Sequence, residues 1–291
     1  MRFEDSEETL CIDFTAESGG FERIIEFLDL AHDIREPADE SEAFLCRRHP
    51  QRAGLLHSVF LYSQGTHILR QPVLETVIGY LLSVQSTVNL VGRRLDIMAR
   101  QFPSNRRTLA GSELYLFPSL EELRSLNSSA IAGWHLGYRA QWFTDLVAAL
   151  PDEPGLHNLA TTSSKERQSY FRRFAGIGPK VAACIDLFAY GQDDAFPIDV
   201  WVDRGLRHVL GMSSADIHGV SQCAPAVLGP HCGLFGEYLF RYERDHASGA
   251  EFPRFSAQFS PPVPHSLDKT GQWGTQYTSA SGQRIWTARG Q

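Results

Sequence analysis

The residues whose types and spacing are best suited to chemistry lie between positions 174 and 199. Gly176 and Gly178 stand two residues apart, Lys180 follows directly after a proline, and Asp199 closes the stretch. Glycines allow positive φ and a close approach of a ligand to the backbone. A lysine amine forms Schiff bases with sugar carbons, and a carboxylate stabilises positive charge. Together these residues indicate chemistry on a sugar whose phosphates are held nearby, as in DNA.

The two glycines are predicted to form the turn of a helix-hairpin-helix. Pro179 suits the first position of the following helix, where its missing N–H costs nothing. The free amides of Gly178 and of that first turn would then face an anion. Arg172 and Arg173 end the preceding helix and add positive charge beside the turn. An ordinary turn between helices is the alternative for the glycines alone, and the lysine and aspartate that follow favour the anion site.

Lys180 and Asp199 are predicted to act as a pair. Lys180 opens a helix over 180–190, where desolvation and the positive helix end both disfavour an ammonium ion. For the lysine taken alone, the alternative is a solvated surface side chain, which is the usual state of lysines. Asp199 is predicted to cap the helix over 200–210. The same carboxylate would stabilise an oxocarbenium-like sugar and take a proton from the attacking amine.

This region resembles the helix-hairpin-helix DNA glycosylase superfamily, and most closely its 8-oxoguanine DNA glycosylase/AP lyases. Further support comes from His-Ile-Leu-Arg-Gln-Pro at 67–72, Leu-Gly-Tyr-Arg-Ala at 136–140, and Cys184 four residues after the lysine. The resemblance implies an all-α fold of two helical subdomains with a cleft. It also implies a bifunctional enzyme that excises 8-oxoguanine through a lysine Schiff base and nicks the strand by β-elimination.

The resemblance assigns roles residue by residue. Lys180 would be the nucleophile with Asp199 as its acidic partner, Cys184 would line the base pocket, and Phe240 would stack on the flipped base. Plain packing in the core is the alternative for Cys184 and Phe240. The hairpin residues Gly176, Gly178, Arg172 and Arg173 would bind the DNA backbone. The carbonyl groups expected to hold a monovalent Na⁺ or K⁺ ion there are those of Arg172, Phe174 and Ile177.

Three residues are expected at the gap left by the flipped base. Tyr138 would insert into the base stack, unless it is a core residue. Arg139 would hydrogen-bond the orphaned cytosine, with a phosphate contact as the alternative. Gln85 stands where the family has an asparagine opposite that cytosine.

Departures from the family concern which base is removed. Gly236 aligns with the glutamine that reads the base edge, and Trp201 aligns with a histidine. The amino-terminal sheet domain is expected only as a remnant over 1–20, with one strand at 9–14. Two alternatives therefore stay open: a superfamily enzyme for another damaged base, and a protein that binds damaged or abasic DNA without catalysis.

Composition sets further bounds. The 291 residues carry a net charge of −7, with −11 in residues 1–45 and +4 in the remainder. Two basic groups beyond residue 45 are candidate phosphate contacts, with solvated helix faces as the alternative. They comprise Arg93, Arg94, Arg100, Arg106 and Arg107, and then Lys165, Arg167, Arg172, Arg173 and Lys180.

Double-stranded damaged DNA is therefore the expected partner, the expected state is a monomer, and no membrane association is expected. Five cysteines without a regular framework predict an intracellular protein and exclude a four-cysteine iron–sulfur loop. No cofactor is expected beyond the hairpin cation.

The elements that must position these residues are predicted to be helices. One subdomain would combine 21–70 with 191–250, residues 71–190 would form the central subdomain with the hairpin, and 253–291 would be a disordered tail. The predicted helices cover 21–32, 42–61, 72–102, 118–123, 128–150, 161–173, 180–190, 200–210, 213–228 and 234–246, with an acidic loop at 36–41.

Overall fold

The computed structural model describes residues 2–6, 9–14, 26–29, 34–109, 112–247 and 288–290. The chain forms two compact units, one from residues 1–26 with 251–291 and one from residues 27–250.

The smaller unit contains a three-stranded sheet. Its strands are β1 (Arg2–Ser6), β2 (Thr9–Phe14) and β5 (Ala288–Gly290), in the order β1-β2-β5. β1 pairs antiparallel with β2, and β5 pairs parallel with β2. The strand predicted at 9–14 is present, whereas β1 and β5 were not predicted. β5 lies within the stretch expected to be a disordered tail, and residues 253–287 of that stretch lie outside the described residues.

The larger unit is helical, which agrees with the predicted fold class. It also contains a hairpin of β3 (Arg106–Leu109) and β4 (Ser112–Tyr115), which was not predicted. Its helices are α1 (Arg35–Arg48), α2 (Ala53–Ser63), α3 (Val73–Ser83), α4 (Val88–Ala99), α5 (Leu120–Arg124), α6 (Ser128–Ala132), α7 (Arg139–Ala149), α8 (Glu153–Asn158), α9 (Ser164–Phe171), α10 (Pro179–Tyr190), α11 (Val200–Val209), α12 (Ser214–Gln222), α13 (Ala224–Leu228) and α14 (Cys232–Ala247).

The single helix predicted over 72–102 is wrong, because the chain breaks it into α3 and α4. Val84 leaves the helical region with ψ 120°, and Gln85 takes a left-handed φ of 49°. Thr87 then starts α4 as its N-cap, with its hydroxyl accepting the Leu90 N–H at 3.4 Å. A threonine cap can begin a new helix even where apolar spacing continues unbroken.

The prediction for the first helices was also partly wrong. The segment 36–41, expected to be a loop, lies inside α1, because Pro37 falls in the first turn, where proline is tolerated. The helix predicted over 42–61 ends at Arg48, and a 3₁₀ turn over Pro50–Arg52 precedes α2. The helix predicted over 21–32 falls mostly outside the described residues.

Two hydrophobic cores lie in the larger unit, and α10 contributes to both. One core is built from α1, α2 and α11 to α14, and it includes Leu187 of α10. The other is built from α3 to α10, and it includes Val181 and Ile185. The subdomain boundaries near residues 70 and 190 stay a prediction, with which these two sets are compatible. α10 is therefore the element whose position depends on both cores.

A buried ion pair fastens α9 to α10 on either side of the hairpin. The Arg167 guanidinium donates to the Asp186 carboxylate, and both side chains are almost fully buried. Arg167 also donates to the carbonyls of Leu159 at 3.1 Å and Thr162 at 2.6 Å, and to Gln192 Oε1 at 3.2 Å. Because each of its three nitrogens donates at least one hydrogen bond, the buried charge is tolerated.

We expect the Asp186→Ala substitution to lower the free energy of unfolding by about 3–5 kcal/mol, because it leaves the Arg167 charge buried without its partner. The control is Asp203→Ala, which removes the exposed ion pair with Arg207 and should cost less than about 1 kcal/mol. Chemical denaturation measures both values. Equal effects of the two substitutions would contradict the anchoring role of the buried pair.

Candidate active site

The hairpin between α9 and α10 is a tight turn closed by its own backbone. The Phe174 N–H donates to the Phe171 carbonyl and the Ile177 N–H to the Phe174 carbonyl, each at 3.1 Å. α10 then begins at Pro179, as predicted. The amides of its first turn have no partner within the helix, so those of Lys180 and Val181 are available to an anion.

The two glycines of the turn meet different structural requirements. Gly176 adopts φ +86°, and a Cβ there would lie 2.8 Å from Leu81 Cδ1 and closer still to the Trp142 ring. Gly178 has an ordinary φ of −84°, and a Cβ there would meet no atom within 4 Å. The expected positive φ therefore applies only to Gly176. Gly178 is exposed, and the open space above it is what a phosphate needs to approach the amides.

The basic residues at the end of α9 lie on the surface beside the turn. Arg172 and Arg173 are both exposed. The Arg173 guanidinium carbon lies 4.3 Å from the centre of the Tyr170 ring, so this side chain folds back along its own helix. Among the hairpin carbonyls expected to hold a cation, that of Phe174 already accepts the Ile177 N–H and keeps one lone pair.

Lys180 lies at the second position of α10 and is exposed, so the expected desolvation is not found. Its ammonium nitrogen is 5.6 Å from the centre of the Tyr80 ring on α3. Tyr80 also stacks on Phe188, with ring centres 5.8 Å apart. Lys180, Cys184 and Phe188 are spaced four residues apart on one face of α10, and Tyr80 packs along that face.

Asp199 caps α11, as predicted. Its Oδ1 accepts the backbone N–H groups of Trp201 and Val202, both at 2.9 Å. Within the described part of the chain, its Oδ2 accepts no hydrogen bond. One oxygen therefore holds the start of the helix while the other is available for chemistry.

Cys184 lies between these groups and is 3% exposed. Burial is the main cause that raises the pKa of its thiol to about 12; Glu237 and Asp199 also raise it, and the Lys180 ammonium opposes the rise. The thiol is therefore neutral at physiological pH and behaves as a small apolar group. The Cys184 thiol lies beside the Tyr80 hydroxyl of α3, and the two groups act on each other electrostatically.

The α14 face opposite Lys180 carries the next part of the site. Phe240 is half-buried, and the Arg244 guanidinium carbon lies 5.0 Å from its ring centre. At Gly236 a Cβ would lie 2.9 Å from Phe196 Cε2. Phe196 therefore occupies the space that a larger side chain at Gly236 would need.

Glu237 is a site residue that the sequence analysis missed. Burial first and the Asp199 carboxylate second raise the pKa of its carboxyl from an ordinary 4.5 to about 7, against the opposing effects of Lys180 and Arg244. The available signal was a single acidic residue between the apolar neighbours of α14, directly after the glycine that replaces a base-reading glutamine.

Gln85, Tyr138 and Arg139 lie together at the break between α3 and α4. Tyr138 is 51% exposed and donates from its hydroxyl to Gln85 Oε1 at 2.9 Å. Arg139 is only 6% exposed and donates to the Val84 carbonyl at 2.8 Å and the Gln85 carbonyl at 2.9 Å. Arg139 therefore positions the turn that presents Gln85, and its contact with a cytosine stays a prediction.

Two of the arginines expected to bind phosphate are buried instead. Arg94 is 5% exposed and donates to Ser86 Oγ at 3.0 Å and to the His135 carbonyl at 3.2 Å. Arg167 belongs to the buried pair with Asp186. The two arginines hold the framework, which leaves Arg93, Arg172 and Arg173 among the exposed cations.

Within the described ranges, no group of three or more His, Cys, Asp or Glu side chains is arranged to hold a metal ion. In the same part of the chain, no helix combines the length and apolar character that crossing a bilayer requires.

The chain is similar to curated N-glycosylase/DNA lyases. It is 32% identical over 144 residues to N-glycosylase/DNA lyase OGG1 of Arabidopsis thaliana, which covers 48% of this chain and 39% of that protein. It is 26% identical to the N-glycosylase/DNA lyase of Saccharomyces cerevisiae, over 50% of this chain and 42% of that protein. A probable N-glycosylase/DNA lyase of Methanothermobacter thermautotrophicus is 24% identical, over 62% of this chain and 64% of its own length. The chain thus covers less than two thirds of each.

Solved structures share the fold. MBOgg1 in complex with a low affinity DNA ligand aligns with a TM-score of 0.67 and 26% identity, over 80% of this chain and 78% of that one. The Clostridium acetobutylicum 8-oxoguanine glycosylase/lyase bound to double-stranded DNA has a TM-score of 0.65 and 23% identity, over 79% and 77%. The 3-methyladenine DNA glycosylase of Archaeoglobus fulgidus has a TM-score of 0.64 and 17% identity, over 80% and 78%. No family model matches the chain.

We expect the Gly176→Ala substitution to lower the free energy of unfolding by at least about 1–2 kcal/mol, the cost of a left-handed backbone, before the collision with Trp142 is added. Gly178→Ala should change it by less than about 0.5 kcal/mol, because the added methyl group enters open space. Denaturant titration of both variants makes the comparison. If Gly178→Ala were the more damaging change, this account of the hairpin would be wrong.

The raised pKa of Glu237 predicts a pH dependence of stability. The folded protein holds this proton more tightly than the unfolded chain does, so Glu237 favours folding at pH values below its ordinary pKa of 4.5. That contribution is lost as the pH rises through about 7. As the pH rises from 4.5 to about 7, the unfolding free energy of the wild type should therefore fall relative to that of Glu237→Gln. Denaturation at a series of pH values measures this difference. A constant difference would show that the pKa of Glu237 is ordinary.

Proposed function

We propose, from the premise that the chain has the helix-hairpin-helix DNA glycosylase fold and is homologous to N-glycosylase/DNA lyases, that it is a bifunctional glycosylase/AP lyase acting on 8-oxoguanine in double-stranded DNA. One observation carries the proposal. Lys180 and Asp199 each begin a helix, both act electrostatically on Cys184 and Glu237, and the open hairpin lies directly before Lys180. A nucleophile, a carboxylate and a phosphate site are thus brought together.

The DNA backbone is held at the start of α10. A phosphate reaches the first-turn amides over Gly178, where no atom would obstruct even a Cβ. The positive end of the helix and the exposed Arg172 favour the phosphate charge. The hairpin carbonyls of Arg172, Phe174 and Ile177 would hold a monovalent cation, which would supply further positive charge beside that phosphate.

The flipped nucleotide is replaced in the duplex by the exposed Tyr138 and its partner Gln85. A base leaves the stack only at a cost in unstacking energy, which an inserted aromatic ring offsets. The Tyr138 hydroxyl is already fixed by Gln85, and the turn is fixed by Arg139. The two exposed side chains therefore enter the stack as one preorganised unit.

Lys180 and Asp199 carry out the chemistry on the sugar. Once the Lys180 ammonium has given a proton to solvent, its amine forms a bond to C1′ while the bond from C1′ to the base breaks and the base leaves with the electron pair. The free Oδ2 of Asp199 stabilises the positive charge that develops on the sugar and accepts a proton of the amine. Opening of the sugar ring gives a Schiff base, and loss of a C2′ proton then expels the 3′ phosphate.

We expect borohydride to trap the protein covalently on an 8-oxoguanine·cytosine duplex, and Lys180→Ala to abolish the adduct. The chain has three lysines, Lys165, Lys180 and Lys269, and Lys165 is also exposed. Lys165→Ala is therefore a matched control that should keep the adduct. Because Lys180 is exposed, its replacement should leave the unfolding free energy within about 0.5 kcal/mol of the wild type.

The other outcomes separate the alternatives. An adduct on abasic DNA with none on the 8-oxoguanine duplex would keep the lyase and reject the base. An adduct on another damaged base, at a higher rate, would reassign the substrate. Tight binding to damaged DNA without any adduct would leave a binding protein and reject the enzyme.

A further inference from the structure

We propose that Glu237 determines which base the site accepts, by receiving two hydrogen bonds from the Watson–Crick edge of a flipped guanine-type base. This inference rests on the proposed function and deepens it. The bonds come from N1–H and from the 2-amino group, one to each carboxylate oxygen.

The position of Glu237 points to a ligand. It lies on α14 at the i, i+3 and i+7 spacing that places Phe240 and Arg244 on the same helix face. Asp199 and Lys180 both act on its carboxyl, so this face is turned toward the reacting groups. A base stacked on Phe240 would therefore present its edge to the same stretch of α14.

The Glu237 carboxyl also lacks a partner in the described part of the chain. Neither of its oxygens takes part in a hydrogen bond or an ion pair there, although the side chain is more than half-buried. Neither Glu237 oxygen is among the fully buried unpartnered polar atoms of the described residues, so the carboxyl is partly buried and still reachable from outside. A ligand that donates two hydrogen bonds supplies the missing partners.

The chemistry of the carboxylate selects the ligand. An ionised carboxylate only accepts hydrogen bonds, and its two oxygens suit two adjacent donors. Guanine and its 8-oxo derivative present N1–H and the 2-amino group side by side on this edge. Adenine presents the lone pair of N1 there and would be repelled, while thymine and uracil offer a single donor, N3–H.

The residue that precedes Glu237 does not compete with it for contact with the base. Gly236 has no side chain to read a base, and Phe196 fills the space where one would begin. Position 236 therefore supplies no side-chain group that could read a base. Glu237, one residue on, is the acidic side chain that α14 brings to the Lys180 side of the site.

The ionisation of Glu237 depends on the groups that face it. They are Asp199 from α11, Lys180 from α10 and Arg244 from its own helix, with the Cys184 thiol and the Tyr80 hydroxyl nearby. Because the pKa is raised to about 7, only part of the population is ionised at neutral pH. Binding of a double donor favours the ionised form, so recognition should strengthen as the pH rises.

The test combines changes in the enzyme with a change in the base. Single-turnover excision is measured for wild type, Glu237→Leu and Glu237→Gln on duplexes that carry 8-oxoguanine or 8-oxohypoxanthine opposite cytosine, the second base lacking the 2-amino group. Strand nicking at a preformed abasic site is measured in parallel. Glu237→Gln keeps the shape of the side chain, so it keeps the test valid if Glu237→Leu fails to fold.

For the wild type, removing the 2-amino group should slow excision about 10- to 100-fold, the value of a hydrogen bond to a charged group. Glu237→Leu should slow excision of 8-oxoguanine by at least as much and make the enzyme indifferent to the 2-amino group. The ratio of the excision rate to the nicking rate should rise through about pH 7 in the wild type and stay flat in Glu237→Gln. Nicking of abasic DNA should fall less than excision does in both variants, because no base is read in that step and Lys180 and Asp199 keep their side chains, so the effect on nicking is limited to the lost carboxyl charge beside them.

Three results would overturn the inference. A wild type that excises both bases at one rate does not read the 2-amino group. Variants that lose nicking as much as excision place Glu237 in the chemistry of Lys180 instead of in base reading. A wild type that excises neither base yet nicks abasic DNA refutes the proposed substrate, and with it this inference, whereas the first two results leave the proposed function standing.

Discussion

The site depends on the buried ion pair between Arg167 and Asp186. It joins α9 to α10 from the two sides of the hairpin, so the turn between them has both ends fixed. The direction of the first α10 turn follows from this, and with it the direction of Lys180 and the free amides. Burying two charges is costly unless every donor is satisfied. The carbonyls of Leu159 and Thr162 and the Gln192 amide supply the remaining acceptors, so the pair fixes geometry without leaving an unpaired charge.

The orientation of α10 also fixes the candidate site, because different faces of this helix make different contacts. Val181 and Ile185 pack into one core and Leu187 into the other, so the helix cannot turn about its axis without disturbing both. The remaining face presents Lys180 and Cys184, which contact Tyr80. The nucleophile is therefore exposed and still well positioned, since its helix is held by packing and its ammonium group by an aromatic ring.

The parts of the site that could be predicted from sequence are those whose chemistry is local. The hairpin, the proline at the start of α10 and the Asp199 cap each depend on a few consecutive residues. Long-range contacts decided the rest. Arg94 and Arg167 look like surface cations in sequence, and only partners up to 41 residues away reveal them as buried. The need for glycine at position 236 comes from Phe196, forty residues earlier, and no local pattern carries that information.

Two carboxyl groups share the pocket, and their environments assign them different tasks. Asp199 is held by two backbone N–H groups at a helix start, and its other oxygen is placed to stabilise a cationic sugar. Glu237 has no such donors, and its burial, with the Asp199 charge as the second cause, raises the pKa of its carboxyl to about 7. Were both fully ionised without a ligand, their repulsion would weaken the site. The Glu237 carboxyl avoids this repulsion if it becomes fully ionised only when a base donates hydrogen bonds to it. The charge that acts on Lys180 and Asp199 then depends on which base is bound.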